Sequence, residues 1–181
     1  MGKNTQSQKT GSSDVLEPPM LREFASGGVI FRKFGNEIKW LVAKNNPSEK
    51  VPQEYWRLPK GWIDDRDGGD NPGPISSGEV KAKEEELVGA ALREVREEGG
   101  VEAKIVKKIG TVKYFSNSSR GKVLKFVTFY LMEFVRDLPE GFGFETSEVN
   151  WLSFNEAFNR ISRDHEKQIL VKAKELLAQE N

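Results

Sequence analysis

The chain has 181 residues, an apolar fraction of 36%, and 28 basic residues against 28 acidic ones. That length suits one domain with a real core, and the charge balance supplies no global field to favour nucleic acid or an anionic membrane. Cysteine is absent, which excludes a disulfide framework and thiolate chemistry. No apolar run approaches ~18 residues and no secretory signal opens the chain, so a cytoplasmic protein with no membrane segment is expected.

Residues 1–21 are polar, rich in Ser, Thr and Gln, and read as a disordered tail before a single domain over 22–181. Phe24 to Phe31 reads as a strand whose central Gly27-Gly28 pair permits a bulge or a close backbone approach. Gly35-Asn36 turns the chain into a second strand, Ile38 to Ala43, and a loop over 45–53 leads to a short strand, Tyr55 to Leu58. The stretch 64–83 holds four glycines and two prolines and is expected to be a surface loop or partly disordered. Gly69 stands where a calcium loop counted from Asp65 would need an oxygen donor, so that reading is excluded.

Glu84 to Glu98 has no proline and one glycine, and predicts a helix. Val88, Leu92 and Val95 form one apolar stripe, while Glu94, Glu97 and Glu98, at i, i+3 and i+4, share another face. Gly99-Gly100 supplies the stop. Like charges at this spacing repel, and acids in the last turn oppose the helix dipole. A hard divalent cation would reverse both penalties; a solvated glutamate face is the other reading.

Beyond the helix, Ile105 to Phe115 and Val123 to Phe134 form a predicted hairpin. A Gly/Pro loop over 137–144, a strand from Ser147 to Leu152, and helices over Phe154–Ile161 and Glu166–Gln179 complete the chain. Strands combined with an internal and a C-terminal helix fit an α+β sandwich.

The helix with its upstream glycine resembles the Nudix box, G-x5-E-x7-R-E-U-x-E-E-x-G-U, with U a bulky aliphatic. Glu85, Arg93, Glu94, Val95, Glu97, Glu98, Gly100 and Val101 match position for position, and Leu58-Pro59-Lys60-Gly61 resembles the opening of the box. Twenty-three residues separate Gly61 from Glu85 where the pattern has five, so eighteen are extra. The resemblance implies a Nudix-type α/β/α sandwich with a mixed β-sheet. It also implies a metal-dependent hydrolase that cleaves the diphosphate of a nucleoside diphosphate derivative, foremost a (di)nucleoside polyphosphate. A diphosphoinositol polyphosphate or an RNA 5′ end are alternative substrates, and a non-catalytic ligand- or partner-binding module is the alternative of another class.

By the same resemblance Glu94, Glu97 and Glu98 would hold Mg²⁺, with Mn²⁺ as substitute, and a carbonyl near Lys60-Gly61 would complete the shell. Arg93 and Glu85 would pair and brace the motif, which Gly100 closes. The general base is a box glutamate (Glu97 or Glu98) or a downstream one, Glu148 with Glu145 behind it. His165 reads as a capping or surface residue. Lys60, Arg57, Arg120, Lys122 and Lys125 are candidates to face phosphates. Tyr114, with Tyr55, Trp56, Trp62 and Phe115, could stack on a base, although aromatics at strand spacing also build cores. The expected partner is a small phosphoanhydride substrate, with no nucleic acid or membrane; the sequence leaves the oligomeric state open.

Overall fold

The computed structural model describes residues 20–118 and 120–179. The expected tail therefore lies outside the described residues as far as 19, and Leu21 already begins the first strand. That strand, β1 (Leu21–Phe34), is the hub of a seven-stranded mixed sheet. It pairs antiparallel with β2 (Glu37–Asn45) and with the short β4 (Lys60–Trp62), and parallel with β8 (Gly121–Asp137). β8 continues antiparallel to β7 (Val101–Ser118). β2 also pairs with β3 (Trp56–Arg57) and β9 (Thr146–Leu152). The hairpin strands run longer than the sequence pattern indicates, because exposed lysines at their ends hide the alternation.

Period-two alternation sorts the core into two layers. Val29, Phe31, Trp40, Val42, Val127, Phe129 and Leu131 face α2 (Phe154–Arg160) and α3 (Asp164–Gln179), meeting Ala157, Ile169, Leu170 and Ala173. Their neighbours Ile30, Leu41, Tyr130 and Met132 face α1 (Glu84–Gly99), meeting Ala91 and Val95. The result is an α+β fold of the Nudix type, helices on both faces of a mixed sheet. The Gly27-Gly28 pair is a close approach rather than a bulge. A Cβ on Gly28 would stand 2.6 Å from Val95 Cγ2, and one on Gly27 would overlap the Pro59 carbonyl, so each glycine admits a different neighbour.

The stretch 64–83 lies mostly at the surface, and part of it is docked on the sheet. β5 (Asp65–Arg66) and β6 (Asn71–Pro72) form a small ribbon. The Asp64 carboxylate accepts the Ile75 and Ser76 N–H groups at 3.1 and 2.7 Å, and Phe24 N–H donates to the Ser76 carbonyl at 2.8 Å. Ser76 is fully buried. Glycine and proline correctly signalled turns; that a turn's polar groups find partners on β1 is a tertiary fact. Among the described residues no helix is long and apolar enough to cross a membrane.

Candidate active site at the glutamate helix

The rotation of α1 is set by its apolar face. Ala91 and Val95 are buried, with Leu87, Val88 and Leu92 packed beside them. Glu94 and Glu98, one turn apart, are thereby carried against β4, while Glu97 stays in solvent with its side chain 60% exposed. Gly100, at φ 66°, ends the helix in the left-handed conformation, and its N–H donates to the Arg96 carbonyl. The loop before β9 seals that end: Leu138 N–H donates to Gly100 O at 2.9 Å and Gly143 N–H to Glu97 O at 2.6 Å.

Glu98 is 3% exposed. Its carboxylate accepts the Lys60 backbone N–H at 2.8 Å and pairs with the Arg57 guanidinium at 2.5 Å. Burial pushes this carboxyl up to about 7; Arg57 and Lys60 oppose the rise and Glu94 adds to it. Glu94 is raised for the same reason, burial, against the pull of Arg93 at 2.9 Å, and with the fields of Glu97 and Glu145 adding to it. The Glu94 carboxylate lies directly over Gly61, where any Cβ would overlap it. Glycine at 61 therefore lets the Glu94 carboxylate sit where it does, and a side chain there would make that carboxylate shift.

Several expectations change here. Arg93 does not meet Glu85: they stand eight residues apart on one helix, about 12 Å along its axis. Glu85 is exposed, 3.9 Å from Lys83, while Arg93 donates to the Trp62 and Ile63 carbonyls and to Glu94. Lys60 and Arg57 do not stand free for phosphates. Arg57 is spent on Glu98, and the Lys60 ammonium lies 2.7 Å from Glu166, which is wholly buried on α3. Glu166 also accepts the Leu58 N–H at 2.7 Å, so the segment 57–60 is clamped between acids of two helices. Sequence reading missed Glu166. Its one signal is a charged residue three positions before the apolar Ile169-Leu170 pair.

Tyr114 stacks on His165 at 3.8 Å between centroids, so neither ring is free as placed. His165 lies in the first turn of α3 and is half-buried, its side chain 20% exposed but its Nε2 buried without a hydrogen-bond partner, and burial lowers its pKa. Lys125 and Arg120 both pair with Glu23, and Trp62 Nε1 donates to the same carboxylate. Trp56 lies under Arg160, and Phe115 under Lys122. Of the downstream acids, Glu148 is exposed, accepts from Asn150 and acts on Lys44, whereas the charge of Glu145 is felt at Glu94 and Arg57.

Among the described residues no three acidic or histidine side chains converge closely enough to cage a metal as they stand. The donor chemistry nonetheless fits a hard divalent ion: three carboxylates on one helix, two of them buried at the cost that their raised pKa values register, over a glycine that leaves space. Arg57 and Arg93 occupy two of those acids, and an ion would take over their neutralising role.

The family model of the NUDIX domain matches residues 22–173. A Mycobacterium tuberculosis protein (strain CDC 1551 / Oshkosh) carrying the name mutator protein MutT4 is 28% identical over 158 residues, 87% of this chain. The chain spans 56% of that relative's length. In structure the chain resembles an Ap4A hydrolase of C. elegans, with TM-score 0.56 and 20% identity over 87% of this chain and 98% of the other. It also resembles a MutT protein of Methanosarcina mazei Go1, with TM-score 0.58 and 17% identity over 88% and 97%. At these identities the structural likeness speaks to the fold, and the match of the domain model to most of the chain makes it a member of the NUDIX family.

Proposed function

We propose that the chain is a metal-dependent pyrophosphohydrolase acting on a phosphoanhydride, foremost a (di)nucleoside polyphosphate. The observation that carries this is the burial of Glu94 and Glu98 against the Lys60-Gly61 backbone with Glu97 exposed beside them. Two carboxylates held under desolvation, one with its pKa near 7, are expensive to keep unless they have a task. Glu94, Glu97 and Glu98 would hold Mg²⁺ or Mn²⁺, with the Gly61 region beside them. Such an ion neutralises the diphosphate charge and lowers the pKa of bound water.

The chain's own groups supply positioning. Glu166 and Glu98 hold the 57–60 segment from opposite sides, and Arg93 holds the next two carbonyls. Arg57, released from Glu98, would present a guanidinium fork to phosphate oxygens. Glu145 is favoured over Glu148 as the acceptor of the attacking water's proton, because its loop is bonded to the box helix through Gly143 and its field reaches Glu94. A non-hydrolytic, ligand-binding reading draws on one observation: arginines already satisfy Glu94 and Glu98.

Turnover of diadenosine tetraphosphate with Mg²⁺ separates the two. Glu98→Gln is expected to lower kcat by at least a hundredfold, and Glu145→Gln by about 10²–10⁴-fold, the range of a general base. A Glu98→Gln protein near wild-type rate, or a wild-type protein inert on every phosphoanhydride offered, overturns the hydrolase assignment.

A further inference from the structure

Between Glu102 and Glu133 the chain carries Lys104, Lys107, Lys108, Lys113, Arg120, Lys122 and Lys125 and no acid, in a protein of zero net charge. Lys104 and Lys108 are paired with Glu133 and Glu84 towards the open end of the β7–β8 hairpin. At its turn end the cations are gathered differently. Glu23 of β1, only 3% exposed, accepts from Arg120 at 2.6 Å, from Lys125 at 3.1 Å and from Trp62 Nε1 at 3.1 Å. One buried anion thus fixes two cations side by side, and their side chains remain 40% and 31% exposed. Arginine has five N–H donors and an ammonium three, so most of these donors are not taken up by the contacts with Glu23.

The register places this cluster relative to the box. Lys125 is opposite Glu23, and Gly61 is opposite Ser26, three residues further along β1. At roughly 3.3 Å per residue that is a backbone separation of about 10 Å along β1, with Glu23 and Ser26 on opposite faces of the sheet. Trp62 links the two places. Its indole N–H is on Glu23, and its carbonyl is held by Arg93, whose guanidinium also holds Glu94.

From this juxtaposition we infer that Arg120 and Lys125, organised by Glu23, form a distal subsite for phosphate groups of the substrate beyond the scissile diphosphate. The inference rests on the hydrolase reading for its place in catalysis, and on the cluster alone for binding. A guanidinium and an ammonium held together match a phosphate's multiple acceptors better than a single carboxylate, and a buried counter-anion pre-orders both. The phosphates could belong to a linear polyphosphate chain or to a phosphorylated ring.

The test uses the full chain with Arg120→Gln/Lys125→Gln, which keeps donors for Glu23, and Arg120→Gln alone should the double variant fold poorly. Lys104→Ala, a paired cation elsewhere on the hairpin, controls for bulk charge. Calorimetric titration with inorganic tripolyphosphate in chelator is expected to show at least tenfold weaker binding for the double variant, threefold or more for the single, and none of this for Lys104→Ala. With Mg²⁺, the ratio of kcat/KM for diadenosine tetraphosphate over ADP-ribose should fall at least tenfold, through KM. The same ratio with diphosphoinositol pentakisphosphate distinguishes chain from ring. Unchanged titration and unchanged ratios overturn the subsite, as does an equal loss in Lys104→Ala or a loss confined to 5′-triphosphorylated RNA. A wild-type chain that hydrolyses none of these while tripolyphosphate binding follows Arg120 and Lys125 overturns the hydrolase reading and leaves the subsite standing.

Discussion

Replacing Glu98 with Gln should change how stability depends on pH, and the size follows from the burial of that carboxyl. The rise from 4.5 to about 7, at about 1.36 kcal/mol per pH unit, means that ionised Glu98 costs the metal-free fold on the order of 3 kcal/mol. A group with a raised folded pKa contributes stability that is fully present below its unfolded value, near 4.5, and is lost as pH rises through about 7. In that window the folded chain binds more protons than the unfolded one, and stability declines by up to ~1.4 kcal/mol per pH unit. Glu98→Gln does not titrate and resembles the protonated acid, so the two proteins should agree at pH 4.5 and diverge above it. By pH 8 the variant should be the more stable by about 3 kcal/mol. His165 works in the opposite direction, its lowered pKa withdrawing stability as pH falls below 6.5, but it is common to both proteins and cancels in the difference. Urea unfolding between pH 4.5 and 8 in chelator provides the measurement. Millimolar Mg²⁺ should stabilise the wild type more than the variant, because it favours the ionised carboxylate. Parallel stability curves for the two proteins would refute the argument.

Four further outcomes follow from the same contacts. Glu166→Gln leaves the buried Lys60 ammonium without its anion and should cost about 3–5 kcal/mol in urea unfolding; a loss below about 1 kcal/mol contradicts the clamp. Gly61→Ala drives a methyl into the Glu94 carboxylate and should lower kcat about a hundredfold with little change in Tm, and an unaffected kcat shows that Glu94 can move aside freely. Glu85→Gln should leave stability within about 0.5 kcal/mol, whereas Arg93→Gln, which releases two carbonyls and Glu94, should cost about 1–3 kcal/mol; equal effects in thermal melts would restore the Glu85–Arg93 pair. Deleting 66–83 should still allow folding and leave turnover within about threefold, a barrier change of roughly 0.65 kcal/mol. It should nevertheless cost a few kcal/mol, since the Ser76 contacts on Phe24 and Asp64 are lost. A Tm identical to that of the full chain would show the docking to be inconsequential.

Local patterning accounts for what the sequence determined alone. The period of Val88, Leu92 and Val95 made a helix, and the spacing of Glu94, Glu97 and Glu98 placed three acids on one side of it. Alternation in 24–31, 38–43 and 123–134 made strands, and Gly100 marked the helix end. These features arise from interactions a few residues apart, and so they are written in short windows. Only the tertiary structure decided which acids are buried, because the rotation of α1 depends on Gly28 admitting Val95 from 67 residues away. It likewise decided that Lys60 and Arg57 answer to Glu166 and Glu98, that Lys125 answers to Glu23, and that 64–83 docks on β1. Each of these joins groups far apart in the chain, and a buried charge takes whichever opposite charge the fold brings near. Composition cannot name that partner, since the 28 acids and 28 bases of this chain allow many pairings and burial selects among them.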